Sequence, residues 1–129
     1  MKNYYLKARN ALNVHKPVKF SNPKLHSELP KAGGIYLVSR LVGGKPRIMY
    51  IGKAKSLRAR LYLNLLNGQL RSHTLSRKLL QLNGLKDKAA VKAFLKAKFC
   101  VQWVCEADTK ERSFIEHHLI AHLRCPLND

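Results

Sequence analysis

Among the side chains that could do chemistry by type and position, the most telling is an acid. A helix is expected from Asp108 to about Arg124, introduced by Asp108-x-x-Glu111, the pattern of a capping box. Projected at about 100° per residue from Ile115, Leu119 falls at about 40°, Leu123 at about 80°, Glu116 at about 100° and Ile120 at about 140°. Glu116 therefore sits inside the apolar arc, where a carboxylate is costly unless it is paired, hydrogen-bonded or bound to a cation. Two readings stand side by side: a structural salt bridge, with Arg112 on the same face, or a carboxylate that seats a divalent metal beside phosphate. His117, His118 and His122 invite a zinc reading, because His118 and His122 are four apart. These two project at about 300° and 340°, more than about 100° from Glu116, so a solvated or DNA-facing histidine cluster is expected instead. Cys100, Cys105 and Cys125 are odd in number and lack CxxC spacing, which argues against a disulfide framework or a zinc ribbon. A reducing, cytoplasmic setting is the corresponding expectation.

The elements that must position such groups can be read around them. Gly34 to Arg40 and Arg47 to Gly52 are rich in β-formers, and Gly43-Gly44 between them suits a hairpin turn. Alternation puts Tyr36 with Gly34 and Val38, and Tyr50 with Ile48 and Gly52, so two phenols lie near one end of a small sheet. Ser56 is a candidate N-cap for a helix carrying Leu57, Leu61 and Leu65, stopped by Gly68, with Arg58 and Arg60 in its first two turns. Ser72 or Thr74 introduces a second helix with Leu75, Leu79 and Leu82, ended by Gly84. Lys86 to Lys98 forms a third, with Val91, Phe94 and Leu95 inward. The segment from Lys98 to Glu106 alternates, Phe99, Val101, Trp103 and Cys105 sharing one face, and reads as a strand. Residues 1 to 32, interrupted by Pro17, Pro23 and Pro30, read as an irregular or partly helical arm. The expected order is β-β-α-α-α-β-α, an α+β domain with a small mixed sheet of about three strands flanked by helices.

Composition narrows the function classes. The chain of 129 residues holds 25 Lys+Arg against 7 Asp+Glu, a formal charge of +18, and 46% hydrophobic residues. That is too apolar for a disordered basic tail and suits a single domain over 1–129. No apolar run reaches the roughly 18 residues of a membrane span, and the N-terminus lacks the apolar stretch of a secretory signal. From Leu29 to Lys86 there is no acid against twelve basic residues. An uninterrupted positive field costs stability by self-repulsion, and a polyanion relieves it, so nucleic acid is the expected partner and a membrane surface is not.

These residues assemble into a recognisable order. Gly34-Ile35-Tyr36, followed by Tyr50-Ile51-Gly52, resembles the signature of the GIY-YIG nuclease superfamily. The stretch Gly52-Lys-Ala-Lys-Ser-Leu-Arg-Ala-Arg60 and the lead-in from Leu29 to Gly34 look like the N-terminal nuclease domain of bacterial excision-repair endonucleases. Arg60 matches the catalytic arginine of that family, whereas Arg58 does not. Glu116 matches its metal-binding glutamate, and Asn128 its terminal asparagine. Two departures are visible: Asn64 stands where many members have Tyr or His, and a helical region near residues 70 to 97 is inserted. His73, thirteen residues after Arg60, resembles a histidine of homing-type members and is expected to compensate for Asn64.

The resemblance implies metal-dependent hydrolysis of DNA phosphodiester bonds. In that reading Glu116 holds one Mg²⁺ or Mn²⁺, Arg60 offers fixed donors to the phosphate, and Tyr36 acts as general base. A free phenol titrates near 10, so cations, Lys53 foremost, are expected to favour the phenolate. Tyr50 orients water or phosphate and Asn128 braces the site. Lys55, Arg58, Arg71, Arg77 and Lys78 are expected to touch the nucleic-acid backbone. The match from Leu29 to Asn128 leaves no separate sequence-reading domain. Recognition of DNA structure, or a non-specific activity targeted by a protein partner, is therefore expected. Base-edge contacts from the inserted helices or the arm are the route to a sequence-reading role. The competing classes are a nucleic-acid-binding module of the same fold without catalysis, and a basic assembly or ribosome-associated protein.

Overall fold

The computed structural model describes residues 16–68, 73–82 and 84–128. Its strands are β1 (Val18–Lys19), β2 (Gly34–Val42), β3 (Lys45–Ala54) and β4 (Phe99–Cys105). Its helices are α1 (Leu25–Glu28), α2 (Ala59–Leu66), α3 (Thr74–Leu82), α4 (Lys88–Lys98) and α5 (Thr109–Leu123). The strands form one sheet in the order β1-β4-β2-β3, and every neighbouring pair is antiparallel. The small α+β sheet flanked by helices is as expected, but it has a fourth strand and no parallel pair. The extra strand is only two residues, Val18 and Lys19 opposite Val101 and Cys100, too short to leave a period in the sequence. The first fifteen residues of the expected arm lie outside the described residues.

The hairpin is built as the glycines dictate. Gly43 and Gly44 have φ of 58° and 80°, the left-handed pair of a type I′ turn that matches the twist of the flanking strands. Val38 pairs with Tyr50 but Ser39 pairs with Ile48, so Met49 is an extra residue, a bulge in β3. Alternation then sends two sets of side chains to opposite faces. Tyr36, Val38, Phe99 and Val101 pack with Leu57, Leu61, Leu65, Leu75, Leu79, Val91 and Leu95. Ile35, Leu37 and Ile51 pack with Ile115 and Leu119 of α5 on the other side. Helices α2, α3 and α4 thus cover one face and α5 the other.

Local signals start most helices. Ser56 Oγ accepts the Ala59 N–H at 3.3 Å, Asp87 the Ala90 N–H at 3.0 Å, and Asp108 the Glu111 N–H at 3.0 Å. The reciprocal half of the expected capping box is supplied differently, because Glu106 Oε2, not Glu111, accepts the Asp108 N–H at 3.1 Å. At the start of α3, Thr74 is already helical and His73 Nδ1 accepts the Leu75 N–H, while Ser72 lies outside the described residues. The helix α2 is wound wider than an α-helix, its last turn closed by the Asn67 N–H on the Tyr62 carbonyl five residues back. Leu57, Leu61 and Leu65 repeat every four residues, more than the 3.6 of an α-helix, and the wider winding keeps them buried together. After α5, Arg124 takes the left-handed conformation (φ 47°) and turns the chain back onto β3. Among the described residues, no helix is long and apolar enough to cross a membrane.

Candidate active site

The two phenols leave the same face of the hairpin side by side, their ring centroids 6.3 Å apart. Tyr36 is fully buried and Tyr50 partly so. Directly opposite Tyr36 in the ladder is Gly52. A Cβ on Gly52 would collide with the Tyr36 hydroxyl and ring, so only glycine lets the phenol lie across β3. Burial pushes the Tyr36 phenol well above its ordinary value, and the neighbouring Tyr50 adds to this. The Arg60 guanidinium, which hydrogen-bonds the phenol, pulls it back. Tyr50 is raised for the same first reason, and again Arg60 opposes. The cation at the phenols is therefore Arg60 from α2, not Lys53 as expected from the sequence.

His73 completes the polar ring around Tyr36. Its Nε2 lies 2.7 Å from the Tyr36 hydroxyl, and its Nδ1 accepts the Leu75 N–H at 3.0 Å. A nitrogen that accepts a backbone N–H carries no proton, so the ring proton is on Nε2 and is donated to the Tyr36 oxygen. Burial first, then Arg60 and Lys88, lower the His73 pKa to about 3, which fixes the neutral ring. Lys88 reaches this region by donating to the Leu65 carbonyl and to Ser76 Oγ. Sequence reasoning missed Lys88, because a lysine one residue after an N-cap reads as a solvated helix cation.

Glu116 approaches from the opposite layer. Its side chain is only 14% exposed, and burial raises its pKa while Lys53 and then His117 lower it. Lys53 Nζ stands 3.9 Å from Glu116 Oε1 and donates to Ser113 Oγ at 2.7 Å. The salt bridge to Arg112 that the sequence allowed does not form. Arg112 NH1 donates to the Glu106 and Ala107 carbonyls at 3.0 and 3.1 Å, and its NH2 to Thr109 Oγ1 at 3.2 Å. The Glu116 carboxylate acts on both phenols, raising each. Tyr36, Tyr50, Arg60, His73, Lys53 and Glu116 thus gather around the inner end of β3.

Asn128 joins them indirectly. Its side-chain amide grips one residue of β3 at both ends, Oδ1 accepting the Ile51 N–H at 2.7 Å and Nδ2 donating to the Ile51 carbonyl at 2.8 Å. Of the expected backbone-contacting cations, two are engaged within the fold. Arg58 Nε donates to the Leu29 carbonyl at 2.8 Å, and Lys78 Nζ to the Leu127 carbonyl at 2.7 Å. Lys55 and Arg77 are exposed, and Arg71 lies outside the described residues. His117, His118 and His122 are exposed on α5, with the His118 ring tilted against Phe114, centroids 4.3 Å apart.

The donor set bears on which cation could sit here. Among the described residues no three His, Cys, Asp or Glu side chains converge, which is unlike the closed ligand shell of a zinc site. A single carboxylate whose charge is disfavoured by burial, 3.9 Å from its ammonium neighbour, suits a hard cation that keeps most of its water.

A family model described as the GIY-YIG catalytic domain matches residues 36–129. Among solved structures, the fold is similar to the GIY-YIG N-terminal endonuclease domain of UvrC from Thermotoga maritima, bound to magnesium as its catalytic divalent cation. The TM-score is 0.53 at 24% identity, covering 82% of this chain and 93% of that one. Two cation-bound point mutants of the same domain give TM-scores of 0.52 and 0.53 at 24% and 23% identity, each covering 82% of this chain and 92% and 93% of theirs. No curated protein sequence matches this chain.

Proposed function

The chain belongs to the family of GIY-YIG catalytic domains, and from that premise we propose that it is a divalent-metal-dependent endonuclease acting on DNA phosphodiester bonds. The observation that carries this is one electrostatic cluster: Arg60 on α2 and Glu116 on α5 both act on the Tyr36 phenol of β2. Glu116 would hold Mg²⁺ or Mn²⁺, and the bound ion would supply the charge that polarises the phosphate and stabilises the leaving oxygen.

The chain's own residues do the rest. Arg60 presents N–H donors in a fixed fork to the phosphoryl oxygens, where charge develops as water attacks phosphorus and the ester bond breaks. Tyr36 takes the proton of the attacking water as a phenolate, after its own proton has passed to solvent. At rest it stays protonated, since burial disfavours the phenolate. Two donors, His73 Nε2–H and the Arg60 guanidinium, already point at its oxygen, and both bonds strengthen once that oxygen becomes an anion. Tyr50 orients water or phosphate from the adjacent ring position. Lys53 keeps Glu116 company, and Asn128 fixes the strand between Tyr50 and Gly52. The charge of +18 draws the polyanion in. Target choice then rests on DNA structure or on a protein partner, as no further reading element is part of the cluster.

Nicking of supercoiled plasmid with Mg²⁺ or Mn²⁺ tests this reading. Wild type should cleave, chelation should stop it, and Glu116→Ala or Arg60→Ala should each lower the rate about a hundredfold or more. A wild-type protein that binds the plasmid and leaves it intact with either ion, or a Glu116→Ala variant that cleaves normally, overturns it.

A further inference from the structure

The far end of the hairpin carries positive charge that the catalytic cluster does not use. Arg40 on β2 stands directly opposite Arg47 on β3. Like charges directly opposite in a sheet repel. Lys98, at the end of α4, adds a third cation, and the three line, with Met49, one shallow open hollow of about 420 Å³. None of the three forms an ion pair with a carboxylate among the described residues. Arg40 is nevertheless held in place, its guanidinium 5.3 Å above the centre of the Phe94 ring. Three cations are thus gathered at a cost that no described acid offsets.

The bulge at Met49 gives the arrangement its direction. Without it Arg47 and Tyr50, three residues apart, would point to opposite faces of β3. With one residue inserted, Arg47 faces Arg40 while Tyr50 faces Val38, and all four share a face with Tyr36. From Tyr36 to Arg40 is four residues of strand, about 14 Å. Between Tyr36 and Arg40 that face is buried under the helices, so the arginine pair and Lys98 meet solvent only at the far end of the hairpin.

We propose that Arg40, Arg47 and Lys98 form a second phosphate-binding site for the DNA backbone, at the end of the hairpin away from the scissile bond. This rests on the nuclease reading above for the position of the cut, and on the hairpin geometry for the site itself. The site contacts phosphates and not base edges, so it tightens binding without selecting sequence.

The test uses the full chain carrying Arg47→Gln and Lys98→Gln together, two exposed residues outside the catalytic cluster. Duplex affinity is measured by anisotropy across a salt series. The slope of log affinity on log salt should fall by about two, with binding weaker by about tenfold or more near 0.1 M salt and converging with wild type at higher salt. In plasmid cleavage KM should rise and kcat stay as in wild type. Arg47→Gln alone should give about half the change in slope, which guards against a double variant that folds poorly. An unchanged slope and affinity in both variants overturns the site. Loss of slope in a protein that never cleaves supports the site and counts against the nuclease reading alone.

Discussion

A buried histidine with one ring nitrogen on a backbone N–H and the other on a phenol cannot exchange tautomers without losing a bond. His73 is in that position, and its cost appears in acid. Its folded pKa is about 3 against 6.5 unfolded, so between those values the unfolded chain binds a proton that the folded chain refuses. The stability from this group is full above 6.5 and is lost as pH falls toward about 3. Glu116 acts with the opposite sign, since its folded pKa is raised and its carboxylate destabilises the fold as pH rises through the carboxylate range. Thermal midpoints followed from pH 7 downward should fall in wild type over the His73 window. In His73→Gln they should start lower and fall less, and a variant with the wild-type acid limb would refute the account. The sequence offered His73 through the resemblance, as a histidine thirteen residues after Arg60 expected to compensate for Asn64. Its bond to Tyr36 was invisible there, because it depends on how the inserted helices fold back over the hairpin.

At the level of elements, the edge strand β3 is closed by the end of the chain. Leu127 N–H donates to the Met49 carbonyl, Asn128 holds both backbone groups of Ile51, and Lys78 from α3 fastens the Leu127 carbonyl. An exposed edge is otherwise a template for another chain, and here three contacts occupy it. Asn128→Ala should cost about 1–2 kcal/mol, and the Ile51 amide should exchange with solvent much faster in native-state hydrogen exchange. Lys78→Ala should speed the same amide by less, with the β2–β4 amides unaffected in both. The hairpin, its turn and the capped start of α5 were readable because each rests on residues adjacent in sequence, whereas the Asp87 cap of α4 was passed over for a start at Lys86. The two-residue strand β1, the wide winding of α2 and the displaced half of the α5 cap were not readable, since each is settled by packing or by a neighbour the local pattern does not specify.

Over the whole molecule, positive charge dominates the energetics of compactness. The segment from Leu29 to Lys86, which contains the hairpin and α2, carries twelve cations and no acid, and the formal total is +18. Self-repulsion on this scale lowers stability and is relieved by counter-ions. Thermal midpoints should rise on going from low to moderate salt, and rise further with a short duplex that binds only the folded state. A midpoint indifferent to both would mean that the charge is already neutralised internally. Charge class was legible from composition alone, and so was the anomaly of Glu116, which helix geometry placed in an apolar arc. What composition could not supply was the fate of Arg112, whose donors are taken by the Glu106 and Ala107 carbonyls and Thr109. That leaves the acid to Lys53 and the phenols.

One contact within the hairpin reaches beyond this molecule. The Tyr36 ring rests where a methyl group on residue 52 would have to be, so a hydrogen is the largest substituent β3 tolerates there. Neither residue can drift alone: an alanine at 52 evicts the aromatic ring, and a chain that has shed the ring has no further reason to keep the glycine. Descendants of this sequence should therefore inherit the two together or forfeit both.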